Sequence, residues 1–112
     1  MLKKIALSMG VALAILASPV QAVEHRIEVH HGEFFPYVTY LQAGDTVRFV
    51  NLMDRNVQIK ATRYYNRWYT GWMAPGGESV VTINSNTQLK FQNDHYSWGF
   101  QGELSFSPAP NS

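Results

Sequence analysis

The sequence contains no cysteine. This absence excludes disulfide bonds, and it excludes every metal centre that depends on a thiolate ligand. The arrangements that mark common hydrolytic sites are missing as well: there is no Ser-His-Asp order, no paired acidic motif and no His-x-x-x-His spacing. We therefore expect no enzymatic activity.

The sequence also lacks long hydrophobic runs and the 3.6-residue periodicity of an amphipathic helix. The apolar run Ile5–Ala17 is shorter than the roughly 20 residues that a membrane-spanning helix needs. It follows Lys3 and Lys4, and it precedes the small residues of Val20-Gln21-Ala22. This order predicts a signal peptide over residues 1–22.

The Ala-rich core and paired lysines of that segment are typical of bacterial Sec-type signals, so we expect export to the periplasm. A lipoprotein would carry cysteine directly after the cleavage site, where this chain has Val23. We expect a mature chain without a membrane anchor.

The sequence also lacks an excess of either positive or negative charge. Without Lys3 and Lys4, seven basic side chains stand against eight acidic ones, a formal charge of −1. A nearly neutral domain lacks the excess of positive charge with which proteins bind nucleic acid. One local basic group remains, which we interpret as a solvated face rather than an anion site: Arg55, Lys60, Arg63 and Arg67.

Short segments of alternating polarity, separated by turn residues, fill the remainder of the chain. This pattern predicts six or seven strands in one small domain, residues 23–106, and therefore a sandwich or barrel. Pro108 and Pro110 cannot continue a strand ladder, so residues 107–112 are predicted to be a flexible tail. The predicted strands are 23–30, 37–41, 46–51, 56–62, 78–83, 87–92 and 102–106.

The segment from Phe91 to Phe106 resembles the end of a plastocyanin- or amicyanin-like blue-copper (cupredoxin) domain. That family has the spacing Cys-x-x-His-x-x-x-x-Met-x-Gly there. This chain matches it without a gap, with Gln92, His95, Phe100 and Gly102 at the four positions.

Two further segments are similar to cupredoxins and occur in the same order. Residues 35–51 contain a Gly-Asp turn followed by Val-x-aromatic-x-Asn, and residues 74–79 contain a Pro-Gly turn before the next strand. The resemblance covers nearly the whole mature chain. It implies an all-β fold, a small antiparallel Greek-key β-sandwich of six to eight strands.

The blue-copper centre that the family carries cannot form in this chain. Such a centre needs a Cys thiolate, two imidazoles and a weak axial Met. By the resemblance, Gln92 replaces the Cys, Phe100 replaces the Met and Arg55 stands at the first His position. His95 alone remains, and we expect Phe100 to fill the volume near the former metal.

Other side chains could still hold copper, since imidazole and thioether are both copper ligands. His30 and His31 end the first predicted strand, and Met73, like Met53, lies in a predicted loop. His95 is the best candidate, with His31, His30 and Met73 as its possible companions. The alternative is that the histidines are exposed polar residues and the methionines fill gaps in the core.

An aromatic segment, residues 63–73, is the other unusual feature. Exposed aromatic rings can stack on sugars, peptides or cations. Alternatively the rings cover the space left by the lost metal, although a stretch this polar should leave some of them exposed. The five aromatic residues are Tyr64, Tyr65, Trp68, Tyr69 and Trp72.

Two functions are compatible with these observations. The first is copper binding, delivery or buffering in the periplasm through a non-blue His/Met site, with copper as the candidate cofactor and another periplasmic copper protein as the candidate partner. The second is a metal-free binding module that uses the aromatic segment to hold a protein or a small molecule. Neither involves electron transfer through a type 1 site.

Overall fold

The computed structural model describes residues 21–94 and 99–110. Within these ranges the chain forms no helix that is long and apolar enough to cross a membrane. It forms eight strands: β1 (Glu24–His30), β2 (Glu33–Phe35), β3 (Val38–Tyr40), β4 (Thr46–Asn51), β5 (Ile59–Ala61), β6 (Glu78–Thr82), β7 (Lys90–Asn93) and β8 (Gln101–Ser105). The predicted all-β class and strand number are confirmed.

The strands form two four-stranded sheets, in the orders β2-β1-β4-β6 and β3-β8-β7-β5. Each sheet contains one parallel pair, β1 with β4 and β3 with β8, and the other pairs are antiparallel. The sheets are therefore mixed, not purely antiparallel. Parallel pairs join strands that are far apart in sequence, so the alternation of residues within each strand does not predict them.

Strand β2 is the element that the sequence did not predict. Gly32 has a φ of 83°, in the left-handed region that favours glycine, and it turns the chain back after β1. Residues 33–35 then pair antiparallel with residues 28–30. Three residues are too few for alternation to be recognised, so this strand depends on its hairpin partner.

The inner faces of both sheets contribute to one hydrophobic core. Phe49 lies at its centre, with ring centroids 5.4 Å from Phe91 and 5.8 Å from Trp68. Aromatic side chains each bury a large apolar area, so these rings contribute strongly to the core. The buried cluster comprises Ile27, Val29, Phe34, Leu41, Val47, Phe49, Met53, Val57, Ile59, Met73, Ile83, Phe91 and Leu104.

Asp45 ties the start of β1 to the turn before β4. Its carboxylate accepts hydrogen bonds from the backbone N–H groups of Val23 and Gln42, each at 3.0 Å, and lies 2.9 Å from Nε2 of His25. The His25 hydrogen bond, followed by the two backbone bonds, lowers the pKa of Asp45 to about 2. All three bonds favour the ionised carboxylate.

We expect Asp45 to make the protein sensitive to acid. A pKa lowered on folding contributes stability that is fully present above the unfolded value, near 4, and is lost as pH falls toward 2. The contribution is on the order of 1–2 kcal/mol. Urea unfolding at pH 7, 4 and 2.5 should show Asp45→Asn to be less stable at pH 7 and to lose less stability on acidification. An unchanged acid-dependent loss would contradict this role.

Candidate functional site

One end of the sandwich collects the loops that the family resemblance associates with metal ligands. The pairs Val29 with Asn51, Val50 with Glu78 and Ile59 with Asn93 bring the corresponding strand ends together. We call this the ligand-loop end. It contains residues 31–32, 52–58 and 71–77, together with 94 and 99–100 at the two limits of the β7–β8 connection.

Apolar side chains fill the interior at this end. The ring of Phe34 lies 4.8 Å, centroid to centroid, from the rings of both Phe91 and Phe100. Met53 and Met73 are buried in the same cluster, with exposed fractions of 5% and 4%. Met73 also pairs with Val57 through two backbone hydrogen bonds. The structure thus places Met73, a candidate ligand in the sequence, in a packed core.

Phe100 packs against the core cluster, in the position where the family resemblance led us to expect an apolar filling, although its side chain is only partly buried. Its backbone N–H donates to Oδ1 of Asn93 at 2.7 Å. Ring and backbone together position the end of the β7–β8 connection.

Replacing Phe100 by alanine should lower the free energy of unfolding by about 3 kcal/mol, near the low end for buried Phe truncations because the ring is partly exposed. Phe35→Ala is a matched control, since the Phe35 side chain is 64% exposed. Urea denaturation of both variants measures the difference. Equal, small losses would show that the Phe100 ring does not support the ligand-loop end.

Asn51 connects three parts of this end from a fully buried position. Its Nδ2 donates to the carbonyl oxygens of Arg55 and Met73, at 2.8 and 2.9 Å. Its Oδ1 accepts from the backbone N–H of Met53 at 2.9 Å. One amide therefore fixes the 52–58 loop and attaches it to residue 73.

Two of the three positions assigned to lost ligands, Gln92 and Arg55, face away from the interior. Along β7, Phe91 and Asn93 are buried, so alternation places Gln92 on the outer face, opposite Lys60 and Gln101. Arg55 is exposed, and its Nε donates to Oδ1 of Asp54. The inward polar residue at the end of β7 is Asn93, which sequence reasoning missed. Phe91 lies two residues earlier on β7 and therefore on the same face as Asn93. Its apolar side chain is the signal that could have identified this face as the inner one.

The three described histidines are distributed over both ends of the molecule, with His25 at the opposite end from His30 and His31. Nε2 of His31 lies 3.2 Å from Oδ1 of Asp54 at the ligand-loop end, and both side chains are exposed. Nε2 of His30 lies 3.0 Å from Oε1 of Glu28 on the same strand. The hydrogen bond from Arg55, with a smaller contribution from His31, lowers the pKa of Asp54.

His95 lies outside the described residues, as does Trp98. The residue before them, Asp94, is held on the outer face by Lys60, whose Nζ lies 3.0 Å from Oδ1, and by Nε2 of Gln58. The Lys60 hydrogen bond lowers the pKa of Asp94. Within residues 21–94 and 99–110, no group of three or more His, Cys, Asp or Glu side chains could hold a metal ion.

The aromatic segment divides into one inward ring and four exposed ones. Trp68 packs on Phe49 and Phe91, and its Nε1 donates to the carbonyl of Gln88 at 3.0 Å. The side chains of Tyr64 and Trp72 are 89% and 61% exposed. Tyr65 and Tyr69 are exposed as well. Of the five rings, therefore, only Trp68 packs against the core, and the other four remain exposed aromatic surface.

The segment is held against the sandwich at several points. Lys60 pairs with Tyr69 and Val57 with Met73, so residues 69–73 run beside β5 toward the ligand-loop end. Oγ of Ser79 on β6 donates to the carbonyl of Thr70 at 2.8 Å. The segment therefore closes the side of the sandwich between the edge strands of the two sheets.

A polar cavity adjoins the segment at the end opposite the ligand loops. Its volume is ≈ 430 Å³. Gln88 fixes the nearby backbone, because its Oε1 accepts from the N–H of Arg63 and its Nε2 donates to the carbonyl of Tyr65. The guanidinium of Arg67 lies over the ring of Tyr64, 4.6 Å from its centroid. The cavity is lined by Asn66, Trp68, Val81, Thr82, Asn84, Ser85, Asn86 and Thr87.

Several proteins of known structure have a fold similar to that of this chain. Amicyanin from Paracoccus versutus (Thiobacillus versutus) is similar over 80% of this chain and 84% of its own, with a TM-score of 0.55 and 13% identity. A Met-to-Ala variant of amicyanin, in the Cu(I) form, matches over 80% of this chain and 88% of its own, with a TM-score of 0.55 and 9% identity.

A Cu-containing nitrite reductase from Thermus scotoductus SA-01 is also similar, with a TM-score of 0.57 and 14% identity. The match covers 83% of this chain but 24% of the reductase. No family model matches the sequence, and no curated protein matches it. At these identities the likeness concerns the fold alone, and the chain has the cupredoxin fold.

Proposed function

We propose that this cupredoxin-fold protein is an exported, non-catalytic binding module whose sandwich interior takes no metal. The aromatic segment 63–73 is its contact surface. The observation that carries the proposal is the different exposure of the five rings. Trp68 packs against the core and anchors the segment, while the other four rings face solvent. Exposed aromatic rings that are fixed by a rigid scaffold lose little entropy on binding.

Two further observations support a metal-free interior. The volume at the ligand-loop end is occupied by phenylalanine and methionine side chains, and the chain has no cysteine. Without a thiolate, the charge-transfer colour of a blue-copper centre cannot arise. Cu(II) added to the mature protein should never produce an intense blue band. Such a band would contradict the proposal directly.

Photo-crosslinking in the exporting cell tests the contact surface. A photoreactive phenylalanine analogue at position 64 or 72 should form adducts with a partner. The same analogue at position 37 should not, since Tyr37 is an exposed aromatic outside the segment. No adducts, or equal yields at all three positions, would reject the aromatic segment as a contact surface.

Copper handling at the surface is a second candidate function. The observation that favours it is the exposed pair of His31 and Asp54, which lies at the end where the connection containing His95 begins. The solved structures of similar fold include copper proteins. Imidazole and carboxylate from these loops would give a non-blue site without electron transfer.

Equilibrium dialysis with Cu(I), Cu(II) and Zn(II) tests this second function. If this second function holds, His95→Ala will weaken copper binding far more than His25→Ala, because His25 lies near the start of β1, about 20 Å along the chain from His31. If His25→Ala is the more damaging change, the copper site lies at the other end of the sandwich.

A further inference from the structure

The start of β1 brings a free amine and an imidazole into one short stretch of chain once the signal peptide is removed. Cleavage after Ala22 makes Val23 the first residue and His25 the third. The backbone nitrogen of Val23 and the ring of His25 both contact the carboxylate of Asp45, at 3.0 and 2.9 Å. This cluster therefore combines a main-chain nitrogen with a side-chain imidazole.

We propose that the mature amino terminus is a Cu(II) site formed by four nitrogens. They are the α-amino nitrogen of Val23, the backbone amide nitrogens of Glu24 and His25, and Nδ1 of His25. The inference rests on the export and cleavage proposed above, and it is independent of the aromatic surface. A histidine in third position lets these nitrogens close fused chelate rings in one plane. Square-planar nitrogen ligands select Cu(II) or Ni(II).

The proton balance of binding is simple. The α-ammonium loses one proton to become a ligand, and each of the two backbone amides loses one. A charged imidazole would lose one more. The two amide anions neutralise the charge of Cu(II), the protons pass to solvent, and no electron is transferred.

The contact between His25 and Asp45 suits this coordination. Nε2 of His25 lies 2.9 Å from Oδ2 of Asp45, which leaves Nδ1 for the metal. Metal-bound histidines commonly donate their other ring N–H to a carboxylate, which fixes the tautomer and the ring orientation. Asp45 is almost fully buried and is fixed in turn by the N–H of Gln42. The carboxylate therefore acts as a positioning group.

Binding requires only a small change at the end of the strand. Val23 and Glu24 must leave β4 so that their backbone can wrap around the ion. This breaks the 3.0 Å bond from Thr46 N–H to the Val23 carbonyl, the 3.0 Å contact of the Val23 nitrogen with Asp45 and the exposed ion pair of Glu24 with Arg48. In the described part of the chain β2 pairs only with residues 28–30, so β4 alone holds residues 24–27 in the sheet. Such strand ends open easily.

The test uses the precursor expressed in an exporting host and purified after processing. Intact mass should show a chain that starts at Val23. Cu(II) titration in competition with nitrilotriacetate should give one tightly bound ion per chain, and electron paramagnetic resonance should show four nitrogen ligands. A chain that starts at another residue would overturn the proposal.

Insertion of one glycine between Val23 and Glu24 is the matched variant. It keeps the terminal amine, the imidazole and the contact of His25 with Asp45, but it moves the histidine to fourth position. Cu(II) affinity should fall by several orders of magnitude, as it should in His25→Ala. His31→Ala and His95→Ala should retain the wild-type affinity. Wild-type affinity in the insertion variant would overturn the proposal, and so would loss of the site in His95→Ala.

Discussion

Replacing Phe91 by alanine should lower the free energy of unfolding by about 3–5 kcal/mol, the range for fully buried Phe truncations. The Phe91 ring is inaccessible to solvent and meets Phe34 edge-on at 4.8 Å and Phe49 at 5.4 Å between centroids. Trp68 contacts it from the aromatic segment at 5.9 Å. The ring thus joins both sheets to the proposed contact surface.

Urea denaturation measures this loss, and Gln92→Ala is the matched control. Gln92 is the next residue of β7 but faces outward, so its truncation should change stability by no more than about 0.5 kcal/mol. Trp68 fluorescence should also change in Phe91→Ala, because the indole loses a packing partner. Similar stability losses in the two variants would contradict the assignment of the inner face of β7.

The space occupied by the Phe91 ring explains Gly102. A methyl group at Gly102 would overlap that ring and approach Cδ2 of Phe34 to 3.1 Å. Overpacking of this kind costs about 1–3 kcal/mol. If the overlap is the cause, Gly102→Ala should be partly rescued by Phe91→Leu, so the double variant should be more stable than additivity predicts.

The second large effect is expected at Asn51. Asn51→Ala should lower the free energy of unfolding by about 3 kcal/mol, because it leaves the buried N–H of Met53 without a partner and removes one hydrogen bond each from the carbonyls of Arg55 and Met73, of which Met73 keeps the bond from Val57 N–H. Each buried polar group that loses its hydrogen bond costs about 1–3 kcal/mol. The 52–58 loop should exchange its amide hydrogens faster as a result.

Asn56→Ala serves as the control, since Asn56 lies in the same loop and is exposed. Its effect on stability should stay within about 0.5 kcal/mol. Hydrogen exchange detected by mass spectrometry would locate the change in Asn51→Ala. If the amides of the 52–58 loop exchanged at the same rate in Asn51→Ala as in Asn56→Ala, Asn51 would not organise the ligand-loop end.

Local patterns in the sequence were sufficient for the fold class. Alternation in residues 46–51 predicted β4 because one face is buried, and the Gly-Asp turn before it marks where the chain reverses. The absence of cysteine determined the chemistry of the site more firmly than any residue that is present, since no folding can supply a missing thiolate. Within residues 1–22, the pattern of charge and small residues predicts the cleavage on which the amino-terminal copper site depends.

Only the tertiary structure decided which side chains face inward. Gln92 aligns with a ligand by spacing, but the pairing of β7 with β5 and β8 turns it outward and turns Asn93 inward. Met73 lies in a loop by sequence and in the core by structure, because Asn51 holds its backbone from 22 residues away. Likewise, Trp68 is separated from its exposed aromatic neighbours by its contacts with Phe49 and Phe91. These outcomes depend on contacts between distant parts of the chain, whereas alternation and turn propensity report only on neighbouring residues.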